Sequence, residues 1–434
     1  MTTQYQITGD TARELEGSVE DAIRAGGLRP GEPLPTVRGL ASDLGVSPAT
    51  VAAAYRELRR RGLVAGAGRA GTRVRAAPPI ASRPPLSVPP GARDLRTGGP
   101  DPALLPPLPP LRATGRLYGE PAVSPALGRV ARERLAADGI DTSHLAVVGG
   151  ALDGVERVLG AHLRPGDTVA VEDPGYGAVL DLVVALGLEV APLHVDERGA
   201  VPEALARALE SGARAAVLTP RAQNPTGAAW DGRRAGELAA VLRRHPGALV
   251  IEDDHAGPAA GTPALTVCRG LPTWATVRSV SKWLGPDLRV AVLAGDATTV
   301  SRVEGRQALG AGWVSHLLQD SVARLWDDPA TSALLERAAQ TYGRRRRALT
   351  AALAAEGLVA TGSSGLTAWV PVRDEHSVVE GLVERGWAVT PGERFRIASP
   401  PGIRIAFATL AEDEAPELAR ALADCIRRRP VRDG

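Results

Sequence analysis

Ser279-Val280-Ser281-Lys282 decides how the rest of this chain is interpreted, because it places a lysine in an arginine background. Of the 51 lysine and arginine residues only Lys282 is a lysine, which leaves 50 arginines. Coding bias replaces lysine with arginine wherever charge alone matters. An amine that must lose its proton to form a Schiff base cannot be replaced in this way, because a guanidinium does not deprotonate in proteins. Chance survival of one lysine is the alternative, so the neighbours of Lys282 must distinguish the two.

The composition is that of an ordinary globular protein with more than one domain. The 434 residues carry a net charge of +2, 44% are hydrophobic and 23% are charged, which excludes wholesale disorder and suggests about three structural units. The two cysteines, Cys268 and Cys425, exclude a disulfide framework and a CxxC-type site, and we expect no metal. No apolar run approaches the roughly 18 residues of a membrane span, and no signal peptide is visible. We therefore expect a soluble cytoplasmic protein.

Short apolar runs and amphipathic stretches alternate in the longer, C-terminal part of the chain. The runs that predict strands are 145–148, 168–171, 215–218, 248–251, 275–280 and 290–293. Helical patterns at 152–162 and 232–244 lie between them. This alternation predicts an α/β domain with a largely parallel sheet, whose ligands bind beyond the carboxyl ends of the strands. Weaker strands at 366–370 and 402–407, set among helices, predict a small C-terminal α+β subdomain.

Polar and glycine-containing segments follow several of these strands, where a cofactor of the pyridoxal phosphate kind needs them. Such a cofactor requires an acid at its ring nitrogen, a flat group on its ring, a donor to its ring oxygen and a cradle for its phosphate. Asp253, Tyr176 and Asn224 are the candidates for the first three tasks, in that order. Backbone N–H groups at a helix start, a hydroxyl and a guanidinium would hold the phosphate, from Gly150, Ala151, Ser279 and Arg289.

The first 75 residues have the pattern of a helix-turn-helix with a basic surface. Between residues 38 and 75 there are eight arginines and two acids. A short helix over 36–44 is followed by a turn, and Ser47-Pro48 marks the start of a second helix that runs to about residue 61. The amino-terminal side of such a second helix meets base edges in DNA. The predicted DNA contacts are Arg38, Ser47, Ala49, Thr50, Arg56, Arg69 and Arg73.

Gly66-Ala67-Gly68-Arg69-Ala70-Gly71 matches the GxGxxG pattern of dinucleotide-binding loops in every position. The dinucleotide interpretation requires a preceding strand and a following helix. Here an arginine-rich helix precedes, and Thr72-Arg73-Val74 follows with strand character. We interpret the glycines as the turn of a β-hairpin wing, with Arg69 and Arg73 toward phosphate.

A proline-rich stretch separates the two parts of the chain. Six prolines fall between residues 76 and 93, a composition typical of a stiff linker without a packed element. We therefore predict a DNA-binding domain at 1–75, a linker at 76–93 and a larger domain at 94–434. The small subdomain would begin at about residue 329.

The larger domain resembles the fold-type I pyridoxal phosphate enzymes of the aspartate aminotransferase superfamily. The resemblance implies that Lys282 forms the internal aldimine with pyridoxal 5'-phosphate and that Asp253 holds the pyridinium nitrogen. It implies that Tyr176 stacks on the ring and that Asn224 contacts the ring oxygen. The phosphate contacts that it implies are those of Gly150, Ala151, Ser279 and Arg289.

Three further positions follow from the same resemblance. Tyr118, in Tyr118-Gly119-Glu120-Pro121, matches a tyrosine that reaches the phosphate in the partner subunit's site. Arg404 matches the arginine that binds a substrate α-carboxylate, a task suited to a bidentate fork; a rim ion pair is the alternative for Arg404. The family usually has tyrosine two residues after the ring-nitrogen aspartate, and here that position is His255, which can also donate to the ring oxygen.

The N-terminal part resembles the GntR-type winged helix. The resemblance rests on Leu34-Pro35-Thr36-Val37-Arg38, the helix-turn-helix and a Gly-Thr-x-Val wing, and it implies that Arg38 contacts DNA. The family often has Ser-Arg where this chain has Ser47-Pro48. A GntR-type winged helix, a proline-rich linker and an aminotransferase-like domain, in that order, resemble the MocR subfamily of transcription regulators.

The MocR resemblance implies a switch that operates on double-stranded DNA. The aminotransferase-like domains would form a domain-swapped homodimer, and an amino acid, an amine or pyridoxal phosphate itself would act through aldimine chemistry at Lys282. The effector would reposition the winged helices through its different affinity for two states. The alternative is a catalytically active aminotransferase that carries an accessory DNA-binding domain, and steady transamination would favour it.

Overall fold

The chain forms two compact units in a computed structural model. The residues described are 7–24, 27–29, 31–60, 63–66, 71–74, 88, 90–111 and 115–427. The first unit contains the described residues up to position 85, together with 163–168 and 181–190, and the second contains the others. Among these residues, no helix combines the length and the apolar character needed to cross a membrane.

The predicted helix-turn-helix is confirmed, and its start and turn signals form the expected hydrogen bonds. The elements are helices α1 (Ala12–Arg24), α2 (Val37–Leu44) and α3 (Pro48–Arg60) and strands β1 (Val64–Gly66) and β2 (Thr72–Val74). The Thr36 hydroxyl accepts from the Gly39 N–H at the start of α2. Gly45 ends α2 with a φ of 69°, and the Ser47 hydroxyl accepts from the Thr50 N–H at 3.1 Å at the start of α3. Local sequence therefore sets both helix boundaries.

A small core fixes the three helices against the β1–β2 hairpin. Leu15 from α1, Leu58 from α3 and Val74 from β2 are all buried in it. Tyr55 is buried as well and donates from its hydroxyl to the Pro35 carbonyl oxygen at 3.0 Å. Burial raises the pKa of Tyr55 to about 12. One face of α3 is thus used for packing, and the opposite face is left for other contacts.

A large sheet with covering helices follows in the chain. Its elements, with the short strand that precedes them, are β3 (Arg93–Asp94), α4 (Pro125–Ala137), β4 (Leu145–Val148), α5 (Ala151–His162), β5 (Thr168–Asp173), α6 (Gly177–Ala185), β6 (Glu189–Asp196), β7 (Gly199–Ala200), α7 (Pro202–Glu210), β8 (Ala215–Leu218), α8 (Gly232–Arg244), β9 (Leu249–Asp254), β10 (Trp274–Ser279), β11 (Ala291–Gly295), α9 (Ala297–Ala308) and α10 (His316–Asp327). Short 3₁₀ helices lie at Pro102–Leu104, Gly257–Ala260 and Pro286–Leu288.

The strand order of this sheet is β4-β11-β10-β9-β8-β5-β6-β7. The central strands β10, β9, β8 and β5 run parallel to one another, whereas β11 is antiparallel to both of its neighbours. All residues of β8, β9 and β10 are buried, as expected for a sheet that helices cover on both faces. The carboxyl ends of the four parallel strands therefore meet at one edge of the sheet.

The C-terminal part forms a second, smaller α+β layer. Its elements are α11 (Pro329–Ala355), β12 (Thr367–Pro371), α12 (Glu375–Val383), β13 (Trp387–Ala388), β14 (Thr390–Pro391), β15 (Gly402–Ala406) and α13 (Ala415–Arg427), with a 3₁₀ helix at Gly392–Arg394. The sheet order is β12-β15-β14, and β13 pairs with β3. Helix α11 contributes Leu335 and Tyr342 to the large core but Leu349 and Leu353 to the small one. One helix thus joins the two cores.

Candidate functional site

Lys282 lies just beyond the carboxyl end of β10, where the parallel strands meet. Its amine donates a hydrogen bond to the carbonyl oxygen of Gly98. Burial and the positive charge of Arg404 lower the pKa of the amine to about 8, although the charge of Asp253 opposes the change. A larger share of this amine is therefore neutral near pH 7 than of an exposed lysine, which suits an amine that must attack a carbonyl carbon.

Asp253 occupies β9, the strand next to β10, and pairs in register with Val277. Its carboxylate is buried, and Oδ1 has no hydrogen-bond partner among the described residues. Burial and the negative charges of Asp254 and Glu172 raise the pKa of Asp253 to about 7. A buried acceptor without a donor is unfavourable, and a protonated ring nitrogen would supply the missing donor. The site therefore fits a pyridine-type cofactor.

His255 lies beside this carboxylate, with Nδ1 at 4.0 Å from Oδ2 of Asp253. Burial and the charge of Lys282 lower the pKa of His255 to about 4. The imidazole is therefore neutral at pH 7 and has one ring N–H to donate. This charge state removes the ambiguity that the sequence leaves when histidine replaces the usual tyrosine.

Tyr176 and Asn224 stand at the ends of the next two strands of the sheet. Tyr176 follows β5, and its side chain is 40% exposed. Desolvation and the charge of Asp253 raise the pKa of the Tyr176 hydroxyl. The side-chain oxygen of Asn224 accepts from Nη1 of Arg404 at 3.1 Å, so the amide nitrogen of Asn224 is oriented away from that bond and can donate elsewhere.

The residues of the predicted phosphate cradle lie around the start of α5. Nη2 of Arg289 donates to the Gly149 carbonyl oxygen at 3.0 Å. Gly150 has a φ of +115°, a backbone conformation that favours glycine, and a Cβ there would displace Nη2 of Arg289, which lies 2.5 Å away. Ala151 opens the helix with its free N–H groups, and Ser279 is buried at the end of β10. A helix start and a guanidinium together favour a phosphate dianion.

Arg404 lies in β15 and is buried, so the rim ion pair considered from the sequence is wrong. Its guanidinium donates to the Thr390 hydroxyl at 3.3 Å, to Asn224 and to the Arg96 carbonyl oxygen. It also lies over the Phe395 ring, 4.5 Å from the centroid. Nε has no partner among the described residues, and these hydrogen bonds of the guanidinium go to an amide, a carbonyl and a hydroxyl oxygen rather than to a carboxylate. Burial lowers the pKa of Arg404 to about 10.

A buried hydrogen-bond network behind the site was not predicted from the sequence. Glu172 accepts from the Thr219 N–H at 2.9 Å and from the Gln223 amide at 3.1 Å. Gln223 also donates to the Pro174 carbonyl oxygen at 2.8 Å and accepts from the Thr226 hydroxyl at 2.6 Å. These bonds join the loop that carries Tyr176 to the loop that carries Asn224. The sequence signal for this network is the acidic pair Glu172-Asp173 at the end of the buried strand β5.

Asp173 was also missed, and it connects the large sheet to the small subdomain. Its two oxygens accept from three backbone N–H groups of residues 397–399 and from the Ser399 hydroxyl, at distances of 2.8 to 2.9 Å. The Gly175 N–H donates to the Phe395 carbonyl oxygen at 2.6 Å. We call these bonds the Asp173 latch. The latch places Phe395, whose ring lies under the Arg404 guanidinium, next to the segment that carries Tyr176.

Tyr118 differs from the other predicted cofactor contacts because it is almost fully exposed. Its side chain is 92% exposed, and its ring meets the Trp313 ring edge-on at a centroid distance of 5.5 Å. An exposed tyrosine of this kind is accessible to a second subunit. Its predicted role in the partner's site stays a prediction.

Five of the seven predicted DNA contacts are exposed in the first unit. Arg73 donates from Nη1 to the Gly31 carbonyl oxygen at 2.8 Å, Thr50 is half-buried, and Arg69 lies outside the described residues. Strands β1 and β2 pair antiparallel on either side of the glycine segment, which confirms the hairpin interpretation of GxGxxG. The contacts that are fully exposed are Arg38, Ser47, Ala49, Arg56 and Arg73.

Comparisons with known proteins identify both parts of the chain. Residues 114–422 match the aminotransferase class I and II family, and residues 11–74 match the gntR family of bacterial regulatory proteins. The crystal structure of a kynurenine aminotransferase from Pyrococcus horikoshii superposes with a TM-score of 0.70 at 21% identity. It covers 77% of this chain and 91% of its own, and this similarity shows the fold.

Two curated relatives are transcription regulators by name. The vitamin B6 salvage pathway transcriptional repressor PtsJ of Salmonella typhimurium is 40% identical, over 97% of this chain and 100% of its own length. The pyridoxine biosynthesis transcriptional regulator PdxR of Corynebacterium glutamicum is 30% identical, over 56% of this chain and 55% of its own. The chain therefore belongs to the MocR subfamily of GntR-type regulators, and it is a DNA-binding transcription regulator whose aminotransferase-like domain takes pyridoxal 5'-phosphate.

Proposed function

We propose that this regulator responds to vitamin B6 status and that pyridoxal 5'-phosphate is itself the effector. The buried Oδ1 of Asp253, which lacks a donor, carries this proposal, because a bound pyridinium would complete it. The names of the two relatives support a B6-related signal. A ligand that needs this buried site binds better to the conformation in which the site is formed, and this difference in affinity would shift an equilibrium between two states.

In this proposal each residue of the site has one task. Lys282 would supply the neutral amine that condenses with an aldehyde with loss of water, and Asp253 would hold a proton on the ring nitrogen. Tyr176 covers the ring, while Asn224 and His255 donate to the ring oxygen. The phosphate is held by Gly150, Ala151, Ser279 and Arg289. When bound, the cofactor supplies an electron-withdrawing ring.

The Asp173 latch gives this site a route to the rest of the molecule. Ligand contact with Tyr176 acts on the segment that the latch joins to residues 397–399. We propose that two chains form a domain-swapped homodimer in which Tyr118 completes the partner's phosphate site. The winged helix, at 1–75, would be connected through a linker at 76–93.

Binding to the chain's own upstream DNA, measured with and without pyridoxal phosphate, tests the proposal. We expect the cofactor to change the affinity of the wild type and to leave Lys282→Ala unchanged, because only the wild type holds the ligand covalently. Arg38→Ala should bind DNA more weakly in both states, with a shallower salt dependence, since one phosphate contact is lost. The charge-matched variant Arg420→Ala, in α13, is the control. A cofactor response that is equal in wild type and Lys282→Ala would contradict the proposal.

An amino acid that acts together with the cofactor is the second candidate effector, and Arg404 favours it. A buried guanidinium without a carboxylate partner among the described residues is suited to an α-carboxylate. We expect Arg404→Leu to lose any response to an amino-acid panel while it keeps the response to the cofactor. If no amino acid changes DNA binding in the wild type, an amino-acid effector is excluded. If one amino acid acts equally on the wild type and on Arg404→Leu, Arg404 is not its site.

A further inference from the structure

A cavity separate from the Lys282 site lies behind the strand that carries Asp253. Successive strand residues point to opposite faces of a sheet, so Asp254 points away from the face that Asp253 serves. Asp254 pairs in register with Arg278 of β10, and Arg278 and Arg221 both line a cavity of about 390 Å³. A volume of this order is typical of sites for small organic ligands.

The floor of this cavity holds two buried guanidinium groups, and one of their N–H groups is left without an acceptor within the described part of the chain. Arg221 forms two bonds with Asp254, at 2.8 and 2.9 Å. Arg278 shares the same carboxylate, from Nε at 2.6 Å, and reaches Asp138 from Nη1 at 2.5 Å. Two buried cations thus share one buried anion, and Asp138 is 32% exposed. Nη2 of Arg278 has no partner among the described residues.

The walls of the cavity are apolar and its rim carries both signs of charge. Trp326, Leu335 and Pro258 supply apolar surface, and Ser332 of α11 supplies a hydroxyl. The rim carries one cation, Arg134, and two anions, Asp138 and Glu336. A dianion would meet the rim carboxylates, whereas a single carboxylate would supply the acceptor that Nη2 of Arg278 lacks. A planar apolar body fits beside the indole of Trp326.

We propose that this cavity is a second small-molecule site, which binds an organic monocarboxylate with a compact apolar body. The carboxylate contacts Arg278 and the apolar body packs against Trp326 and Leu335. Helix α11, which joins the two cores, forms one wall of the site. The inference is independent of the effector proposed above, because none of these side chains is a predicted contact of the Lys282 site.

Benzoate is the probe for this site, and neutral benzamide is its isosteric control. Binding to the cofactor-loaded full chain is measured by calorimetry or ligand-detected NMR. Ser332→Phe fills the cavity, whereas Ala333→Phe adds the same ring at an exposed position of α11 that does not line it. Arg404→Leu removes the other place where a carboxylate can bind. Melting temperature and the visible absorbance of the cofactor confirm that each variant is folded.

We expect benzoate to bind the wild type, Ala333→Phe and Arg404→Leu with the same affinity, and Ser332→Phe about tenfold more weakly or worse. Benzamide should bind the wild type about tenfold more weakly than benzoate, because it lacks the charge. If Ser332→Phe does not fold, Ala137→Phe at the exposed rim replaces it with the same expectation. Equal binding to the filled and control variants, loss of binding in Arg404→Leu, or no binding to the wild type at about 10 mM would each overturn the proposal.

Discussion

The amine of Lys282 obtains its reactivity from the residues around it. Burial and the nearby guanidinium of Arg404 both disfavour the protonated form, and the pKa falls to about 8. Burial disfavours the charged form of the neighbouring groups as well. It raises the pKa of Asp253 to about 7 and lowers the pKa of His255 to about 4. Oδ1 of Asp253 lacks a hydrogen-bond donor among the described residues, and a pyridinium N–H would supply one.

Cofactor capture by the unliganded protein should depend on pH through this lysine. The pKa of the amine is about 8, so the amine is mostly protonated below pH 8. The capture rate follows the neutral fraction and should therefore rise by about tenfold per pH unit and level off above pH 8. Stopped-flow absorbance after mixing with pyridoxal phosphate measures this rate. Arg404→Leu should move the midpoint upward, since it removes a positive charge that lowers the pKa. A rate that keeps rising to the ordinary lysine value of 10.5 would contradict this explanation.

At the scale of elements, two strands are longer than their apolar patterns indicate. The sequence predicts strands at 168–171 and 248–251, whereas β5 ends at Asp173 and β9 at Asp254. The polar ends are buried because distant groups pair with them: residues 397–399 donate to Asp173, and two arginines donate to Asp254. No local pattern contains these donors, since they come from other parts of the chain.

Asp173→Asn should loosen the connection between the large sheet and residues 397–399. The amide keeps one acceptor oxygen, so at least one buried N–H loses its partner, which costs about 1 to 3 kcal/mol. We expect a lower free energy of unfolding and faster hydrogen exchange at residues 397–399. Asp287→Asn, at an exposed carboxylate, is the matched control. Unchanged exchange at these amides would show that the Asp173 latch contributes no stability.

The GxGxxG segment shows that an element is identified by its neighbours rather than by its letters. The glycines match a dinucleotide loop, but the arginine-rich helix α3 precedes the hairpin and β2 follows the glycines. Because a helix start is what holds a pyrophosphate, a glycine turn between two strands cannot perform that function. The order of elements predicted from the sequence was sufficient to reach this conclusion.

At the scale of the whole molecule, Tyr118 is the residue that the single chain leaves unexplained. The other predicted cofactor contacts lie at strand ends or helix starts around Lys282, whereas Tyr118 is 92% exposed. In a homodimer of the kind proposed, its hydroxyl would donate to the phosphate in the partner's site. A bond from a neutral donor to a charged phosphate contributes about 1.5 to 3 kcal/mol.

Hybrid dimers test whether Tyr118 acts across the interface. Tyr118→Phe alone should weaken cofactor binding by about tenfold or more. In a hybrid of Lys282→Ala with Tyr118→Phe, a cross-subunit role places both defects in one site and leaves the other site intact. Half of the sites should then bind with wild-type affinity, as measured by absorbance titration. A hybrid without any wild-type site would show that Tyr118 serves its own chain.

The sequence by itself determined which residues we predict to carry the chemistry: the only lysine, the acid, amide and ring that follow predicted strands, and the glycines of the predicted phosphate cradle. It also determined the helix signals of the winged helix. These features are local, because strand periodicity, caps and turns depend on residues close in the chain. Tertiary structure decided the charge states, the Asp173 latch and the cavity behind Asp254. Each of these depends on how strongly a group is buried and on partners more than 20 residues away, such as Arg278 for Asp254, and only the packing of strands and helices sets those two quantities.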